Sequence, residues 1–177
     1  MQLETERLAL RMPQLEDASD FLDFVGDPEV MHWIGSEPGG LSVATEHVER
    51  WITRWEANGM GPYVVTLKDG GCVLGRVGLL VWNARTWETA SLADAGEHAT
   101  VELGWALARA HWGRGYATEA ALAVRESAYE TYDLERLISL IDPENARSAR
   151  VAERLGAEPT ETVQTAGGTA TVWVHPR

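Results

Sequence analysis

The N-terminal third of the chain repeats apolar residues first at strand spacing and then at helix spacing. The pattern favours one strand at 3–11 and helices at 15–25, 27–35 and 42–58. Ser42 is a suitable cap for the last helix, and Gly59 is a suitable stop. Trp51 and Trp55 share one apolar stripe of that helix with Val48, so we expect both tryptophans in the core.

The middle of the chain changes to the two-residue period of strands. Apolar runs at 63–68 and 72–82 flank the turn Asp69-Gly70-Gly71 and predict a hairpin. A further strand is predicted at 100–107, where the apolar side chains face one side while Glu102, Gly104 and Ala106 face the other. The polar stretch 83–98 between these strands is interpreted as a long loop.

The second half alternates helix and strand. Small residues at helical spacing predict a helix over 116–132, and an apolar run predicts a buried strand over 136–141. Asp142 and Pro143 then look like the cap and first residue of a helix that Gly156 ends. A closing hairpin is expected around Gly167-Gly168. The class is therefore mixed α/β, and residues 1–177 are expected to form a single domain.

Composition excludes several function classes. The chain has 177 residues, with 27 acidic and 15 basic ones, and its net charge is −12. Such a chain repels phosphate backbones, so neither nucleic acid nor an anionic membrane is an expected partner. Cys72 is the only cysteine and the five histidines are scattered, which predicts no disulfide and no metal site. No signal peptide or spanning segment is evident, which predicts a cytoplasmic protein.

The most informative stretch is HWGRGYATEA at 111–120, which follows a strand and opens a helix. Gly113 and Gly115 allow a tight turn, and the helix N-terminus offers unpaired N–H groups to an anion such as a diphosphate. A Walker loop is excluded because the only lysine is Lys68. A dinucleotide fingerprint would need a third glycine where Thr118 stands. A loop that merely connects strand and helix stays open as an alternative.

A second candidate segment is NARSARVAERLGA at 145–157. Ser148 falls on the inward stripe of this predicted helix, together with Val151, Ala152 and Leu155. A hydroxyl on an apolar stripe must find a partner or face a cavity. The alternative is a serine that bonds back to its own helix backbone.

Together these segments resemble the GNAT superfamily of acyl-CoA-dependent N-acetyltransferases, and most closely its ribosomal-protein (RimJ/RimL-type) branch. The resemblance rests on ETERLALR, GRVGLL, VELGWAL, the glycine loop and the NxxS helix, and so covers nearly the whole chain. It implies an α+β GNAT fold with a mixed, mostly antiparallel sheet of about seven strands, splayed at its centre, and about four helices.

The resemblance also implies a site for acetyl-CoA as co-substrate. Pantetheine would lie between strands 101–107 and 136–141, against backbone groups of Leu107, Ala108 and Arg109. Asn145 would contact pantetheine as well. The loop residues implied to bind the cofactor are Trp112, Gly113, Arg114, Gly115, Tyr116, Ala117 and Thr118, with N–H groups from Arg114 to Thr118 on the pyrophosphate. Trp112 stands where the superfamily signature usually has glutamine or arginine.

The catalytic groups are less evident than the cofactor site. The tyrosine that many GNAT enzymes use as general acid falls at Ala152, which leaves Ser148, near the sulfur, as the best substitute. Deprotonating the amine calls for a base. Glu102 is the first candidate because it faces away from the apolar side of its strand, and an ion pair on the sheet surface is its alternative. His32 is the second candidate, with a solvent-facing residue as its alternative.

The sequence therefore predicts an N-acetyltransferase that moves an acetyl group from acetyl-CoA to a primary amine by direct attack in a ternary complex. A protein N-terminal α-amine is the leading acceptor, followed by a small amine such as an antibiotic or polyamine. A non-catalytic acyl-CoA-binding module is the competing class, and the protein is expected to be a monomer or homodimer. The acidic residues of 83–98 could attract a cationic acceptor or simply be solvated.

Overall fold

One mixed sheet organises the protein in the computed structural model, which describes residues 2–177. Its strands are β1 (Gln2–Glu4), β2 (Leu8–Arg11), β3 (Pro62–Leu67), β4 (Val73–Asn83), β5 (Glu88–Thr89), β6 (Ala99–Leu107), β7 (Leu137–Ile141), β8 (Glu158–Thr165) and β9 (Gly168–Val174). Their order across the sheet is β1-β2-β3-β4-β6-β7-β9-β8, and β5 pairs with the far end of β4.

The helices cover both faces of this sheet. They are α1 (Leu22–Val25), α2 (Pro28–Trp33), α3 (Leu41–Asn58), α4 (Leu92–Ala95), α5 (Tyr116–Thr131) and α6 (Ala146–Arg154), with 3₁₀ turns at Leu15–Phe21, Gly96–His98 and Arg109–His111. Ala120, Val124 and Ala128 of α5 pack on one face. Val48 and Trp51 of α3 pack with Phe21 and Phe24 on the other. Within residues 2–177, no helix has the length and apolar composition needed to cross a bilayer.

The central strands separate soon after they meet. β6 and β7 are parallel and pair only at Val101–Leu137 and Glu102–Ile138. Beyond that point β6 continues to Leu107 beside β4, while β7 continues to Ile141 beside β9. The predicted splay of the sheet is therefore confirmed, and it leaves a gap between the two strands.

A buried side chain links β6 and β7 where their backbone pairing stops. The Ser139 hydroxyl donates to the carbonyl of Leu103 at 2.6 Å and lies 2.8 Å from Nε2 of His175. Because the single hydroxyl proton goes to Leu103, His175 Nε2 must be the donor in the second bond, a role that both the neutral and the protonated imidazole can fill. Burial, together with nearby Arg125, lowers the pKa of His175 to about 4, which makes the imidazole neutral at neutral pH.

The N-terminal strand prediction is wrong in one respect. Residues 3–11 form a tight hairpin of β1 and β2 rather than one strand. The Thr5 hydroxyl accepts from the Leu8 N–H at 3.0 Å, and the Glu119 carboxylate of α5 accepts from both Thr5 and Arg7. A contact from a helix more than a hundred residues away thus fixes the turn, and alternation along the chain does not reveal it.

The predicted helix start at Asp142 is also wrong. Asp142 accepts from the Glu144 N–H at 2.8 Å and so stabilises a turn, and α6 begins only after Asn145. The Asn145 side chain caps the helix by accepting from the Ser148 N–H at 3.0 Å. Ser42 likewise lies inside α3, whose cap position is Gly40.

Other predicted elements are confirmed with small changes. The segment 15–25 is mostly 3₁₀ rather than α-helical, and the loop 83–98 contains β5 and α4. Within residues 2–177 the sheet has nine strands rather than about seven, since the first predicted strand is two and the loop adds a short one. The same residues form six α-helices rather than about four, two of them the short helices α1 and α4. The alternation of Glu102, Gly104 and Ala106 against the apolar residues of β6 is confirmed, because Val101 and Leu103 lie in the α5 core.

We expect Ser139→Ala to lower the free energy of unfolding by about 2 kcal/mol, since it leaves a buried carbonyl and a buried imidazole N–H without partners. Urea unfolding followed by circular dichroism measures the change. Ser42→Ala removes the same hydroxyl from an exposed helical position and should change stability by less than about 0.5 kcal/mol. Equal effects of the two substitutions would contradict the proposed importance of the Ser139 bond.

Candidate active site

Two cavities meet at the gap between β6 and β7. The first, here called the glycine-loop cavity, measures about 290 Å³ and is lined by the loop before α5, the start of α6 and the end of β6. The second, here called the arginine cavity, measures about 510 Å³ and lies between α3 and the polar faces of β4 and β6. Both share lining residues Trp33, Ile34, Trp105, Asn145 and Ser148.

The glycine loop has the geometry of an anion site. Gly113 and Gly115 adopt φ angles of 72° and 81°, which only glycine adopts without strain. Helix α5 starts at Tyr116, and within the described chain the N–H groups of residues 113–118 have no hydrogen-bond partner. The hydroxyl of Thr118 is buried in the same wall, also without a partner. A ligand with several phosphate oxygens would satisfy these donors.

Three arginines on α6 add positive charge to the glycine-loop cavity. Arg147, Arg150 and Arg154 all line it and recur at i, i+3 and i+7. Arg147 also pairs with Glu29 at 2.6 Å and stacks over the Trp112 ring, 4.7 Å from its centroid. The sequence analysis missed these residues, although their spacing places them on one helical face.

Most of the residues implied to bind the cofactor do line this cavity. They are Leu107, Trp112, Gly113, Gly115, Tyr116, Ala117, Thr118 and Asn145. Three others do not. Ala108 and Arg109 line a separate, more open hollow of about 810 Å³, and the Arg109 guanidinium pairs with Asp27 at 2.7 Å. The side chain of Arg114 is exposed, and its carbonyl accepts from Arg7.

Backbone groups of β6 face the gap, but not all of those expected. The Leu103 carbonyl points across it to Ser139. Since N–H and C=O directions alternate along a strand, Trp105 and Leu107 present theirs on the same side. The Leu107 carbonyl already accepts from the Trp112 indole at 2.7 Å, and the Ala108 N–H donates to Leu74 at 2.8 Å. Trp105 is therefore a position whose backbone groups are placed to pair with a ligand in the gap, and the sequence analysis missed it.

Ser148 lies at the junction of the two cavities. Its backbone N–H is capped by Asn145, while its hydroxyl has no partner among the described residues. The alternative of a hydroxyl bonded to its own helix does not hold here. Trp33 shares the junction, and its indole N–H is buried without a partner, which marks a second point where a polar ligand atom is expected.

Glu102 lies in the arginine cavity and is 7% exposed. Its carboxylate accepts from the Trp82 indole at 2.6 Å and from the Leu140 N–H. Burial raises the pKa of Glu102, and the Trp82 hydrogen bond and the positive charge of Arg76 only partly oppose this. A carboxylate with a raised pKa in a cavity is a suitable proton acceptor near neutral pH.

His32 lines the same cavity as Glu102, at its exposed edge. Its ring packs edge-on against Trp33, with centroids 4.7 Å apart. The structure thus brings together the three predicted catalytic residues, with Glu102 and His32 in one cavity and Ser148 at its junction with the other.

Ala152 is fully buried in a separate apolar cluster with Ile141, Ala157 and Trp173. A tyrosine at this position would have to displace packed side chains before it could reach either cavity. We therefore do not expect Ala152→Tyr to restore an acid lost by substitution of Ser148.

Comparison with known proteins matches residues 7–158 to the acetyltransferase (GNAT) domain. The uncharacterized N-acetyltransferase YnaD of Bacillus subtilis strain 168 is 28% identical over 156 residues, which are 88% of this chain and 82% of YnaD. The crystal structure of an acetyltransferase from Agrobacterium tumefaciens C58 is 29% identical, with a TM-score of 0.80 over 100% of this chain and 95% of that one.

More distant structures share the fold and differ in acceptor. A ribosomal-protein-serine acetyltransferase assigned in Vibrio cholerae is 21% identical with a TM-score of 0.75, covering 99% of this chain and 98% of that one. The aminoglycoside acetyltransferase AAC(6')-Ib is 20% identical with a TM-score of 0.75, covering 96% and 95%, and has been solved with coenzyme A and with acetyl-CoA.

We expect Gly115→Glu to abolish the rise in melting temperature that acetyl-CoA produces, because the new carboxylate stands where phosphates belong. Gly70→Glu is the matched control, since Gly70 also has a positive φ, of 88°, but lies in the exposed turn between β3 and β4. Thermal denaturation with and without acetyl-CoA measures both. An unchanged response of Gly115→Glu would remove the glycine loop from the phosphate site.

Proposed function

This chain belongs to the GNAT family of acetyltransferases and is an acyltransferase that uses acetyl-CoA, and we propose that it acetylates an α-amine, that of a protein N-terminus. We further propose that residues 1–177 act as one domain of the RimJ/RimL-type branch. The motifs WGRGYATEA and NARS support that branch.

One observation carries the proposed mechanism: the glycine-loop cavity and the arginine cavity share a short wall that contains Ser148 and Trp105. Acetyl-CoA in the first cavity and an amine in the second would bring thioester and nucleophile together at that wall. Holding both reactants in contact lowers the entropic part of the barrier. Direct attack in a ternary complex is therefore the proposed route.

In the proposed reaction the neutral amine attacks the thioester carbonyl, a C–N bond forms, and the C–S bond breaks. Glu102 accepts the proton that the amine nitrogen loses. The Ser148 hydroxyl donates to the departing sulfur, which needs little help because thiols have pKa values of about 8.5. An N–H of β6, from Trp105 or Leu107, stabilises the oxyanion that develops on the carbonyl, a contribution of about 3 kcal/mol in comparable sites.

The preference for an α-amine follows from the cost of deprotonation. An α-amine with a pKa near 8 costs about 1 kcal/mol to deprotonate at about pH 7.4, whereas a lysine amine with a pKa near 10.4 costs about 4 kcal/mol. The site offers one carboxylate as base, and His32 lies only at its exposed edge. Such a site suits an α-amine, whose proton is easier to remove than that of a lysine amine. Small amines of low pKa remain chemically equivalent acceptors.

We expect Ser148→Ala to lower kcat about tenfold and to leave the affinity for acetyl-CoA nearly unchanged, since the hydroxyl acts on sulfur only as the bond breaks. Steady-state kinetics and isothermal titration measure the two quantities. Ser42→Ala serves as the matched control. A loss of affinity with an unchanged kcat would make Ser148 a binding contact instead.

We expect Glu102→Gln to reduce kcat/KM for the amine. The reduction should be largest in the pH range between the pKa of Glu102 and the pKa of the amine. In that range wild-type Glu102 is ionised while the amine is still protonated in solution. Because burial raises the Glu102 pKa, the acidic limb of the wild-type profile should lie above the usual glutamate value of about 4.3. Above about pH 8 an α-amine is already neutral, and the variant should recover.

The pH profile of kcat/KM from pH 6 to 10 measures this effect. Glu88→Gln, in the exposed strand β5, is the charge-matched control. A deficit that stays constant over the whole range would mark Glu102 as a structural group. His32→Gln would then test the second candidate base.

A further inference from the structure

The arginine cavity is positively charged within an acidic protein. Arg50 and Arg54 enter it from α3, and Arg76 enters it from β4. Of the residues that the structure describes, only Glu102 and Asp142 supply carboxylates to the same wall, and Asp142 is exposed. In a chain with a net charge of −12, this cavity, like the glycine-loop cavity, concentrates positive charge.

These arginines lack partners within the structure. None of the three forms an ion pair within residues 2–177, although six other arginine or lysine side chains there do. The Nη1 atom of Arg76 is buried without any hydrogen-bond partner. Such a group is costly unless a ligand satisfies it.

Electrostatic effects agree with this geometry. Burial, with a smaller contribution from Arg54, lowers the pKa of Arg76 to about 10 despite the nearby Glu102. Burial and then Arg50 lower the pKa of Arg54. His47, on the same wall, has a pKa of about 4 because of burial and all three arginines. The three guanidinium groups therefore lie close to one another, and Glu102 offsets part of their mutual repulsion.

Glu102 does not neutralise this cluster. One carboxylate faces three guanidinium groups, and its hydrogen bonds go to Trp82 and Leu140. Gly104 keeps the space between Glu102 and Arg76 open, because a Cβ there would lie 3.3 Å from Arg76 Nη1 and 3.4 Å from Glu102 Oε1. A proton acceptor and an unpaired guanidinium thus face the same small volume.

We propose that the acceptor of this enzyme carries a carboxylate close to its α-amine, and that Arg76, assisted by Arg50 and Arg54, binds this carboxylate while Glu102 receives the amine proton. The inference rests on the proposed function. Arginine suits the task, since its planar guanidinium binds carboxylates through paired hydrogen bonds.

The arrangement has two chemical consequences. Nearby positive charge disfavours the ammonium form of the bound amine, which lowers the cost of deprotonation. The same charge repels acceptors with several ammonium groups, so aminoglycosides and polyamines are poor substrates. The acidic loop 83–98 is then a solvated surface rather than an attractant for cations.

Two sources could supply such a carboxylate. In a free amino acid it is the α-carboxylate, and in a peptide it is the side chain of an N-terminal aspartate or glutamate. Two matched pairs separate these sources. Alanine against alaninamide tests the α-carboxylate, with each rate divided by the concentration of neutral amine. The peptide amide Asp-Ala-Ala-NH₂ against Asn-Ala-Ala-NH₂ tests the side-chain carboxylate.

The experiment measures kcat/KM for each acceptor by chromatographic quantification of coenzyme A, because the exposed Cys72 would react in a colorimetric thiol assay. We expect the acidic member of at least one pair to be preferred about tenfold, the effect of one charge-assisted hydrogen bond pair. Arg76→Gln should bring that ratio close to one. Arg50→Gln, at an exposed position, should lower it as well.

The control is Arg85→Gln, which removes the same charge from an exposed residue outside the cavity and should keep the ratio. Equal use of both members in both pairs would overturn the inference, and so would a ratio that survives Arg76→Gln and Arg50→Gln. If no acceptor is acetylated, the enzymatic proposal fails on its own account.

In that case a binding measurement still tests whether the arginine cavity holds a carboxylate. With coenzyme A present, the acidic member of a pair should raise the melting temperature more than its neutral match. That difference should disappear in Arg76→Gln, or in Arg50→Gln if the first variant does not fold. Equal shifts for both members would overturn the inference.

Discussion

The hydrogen bond from Ser139 to the Leu103 carbonyl stands at the point where two parallel strands stop pairing. Beyond it β6 follows β4 and β7 follows β9, so that backbone groups on one side of β6 lose their protein partners. Buried backbone groups need partners, and here the gap leaves them for a ligand. The Ser139 hydroxyl is buried and also lies 2.8 Å from Nε2 of His175, so this bond is in the protein interior, at the point where the strands diverge.

Both cavities depend on that gap. The glycine loop follows the end of β6 after one 3₁₀ turn, and α6 follows the end of β7 after a short turn. Divergence of the strands therefore sets the distance between the unpaired N–H groups of one segment and Ser148 of the other. The acceptor side is formed by the opposite face of β6, where Glu102 and Gly104 alternate with core residues.

Charge is distributed unevenly over this framework. The surface is acidic, while each cavity has three arginines, on α6 for the glycine-loop cavity and on α3 and β4 for the other. In the first cavity Arg147 is compensated by Glu29 and by stacking on Trp112. In the second cavity no carboxylate in the described chain pairs with the arginines, which is why the acceptor itself is proposed to supply one.

Patterns among residues close together in the chain were sufficient to predict much of this protein's structure. Residue periodicity predicted most helices and strands, the glycines of residues 113–115 predicted a helix N-terminus open to anions, and alternation in β6 placed Glu102 opposite the core. These features depend on neighbours in the chain. Tertiary structure decided the contacts between distant segments. Glu119 folds residues 3–11 into a hairpin, and Asn145 rather than Asp142 caps α6. Trp33 and Trp105 both reach the junction of the cavities. It also brought Arg76 next to Arg50 and Arg54, because packing of α3 on the sheet sets which charges meet, and no pattern within either segment specifies that contact.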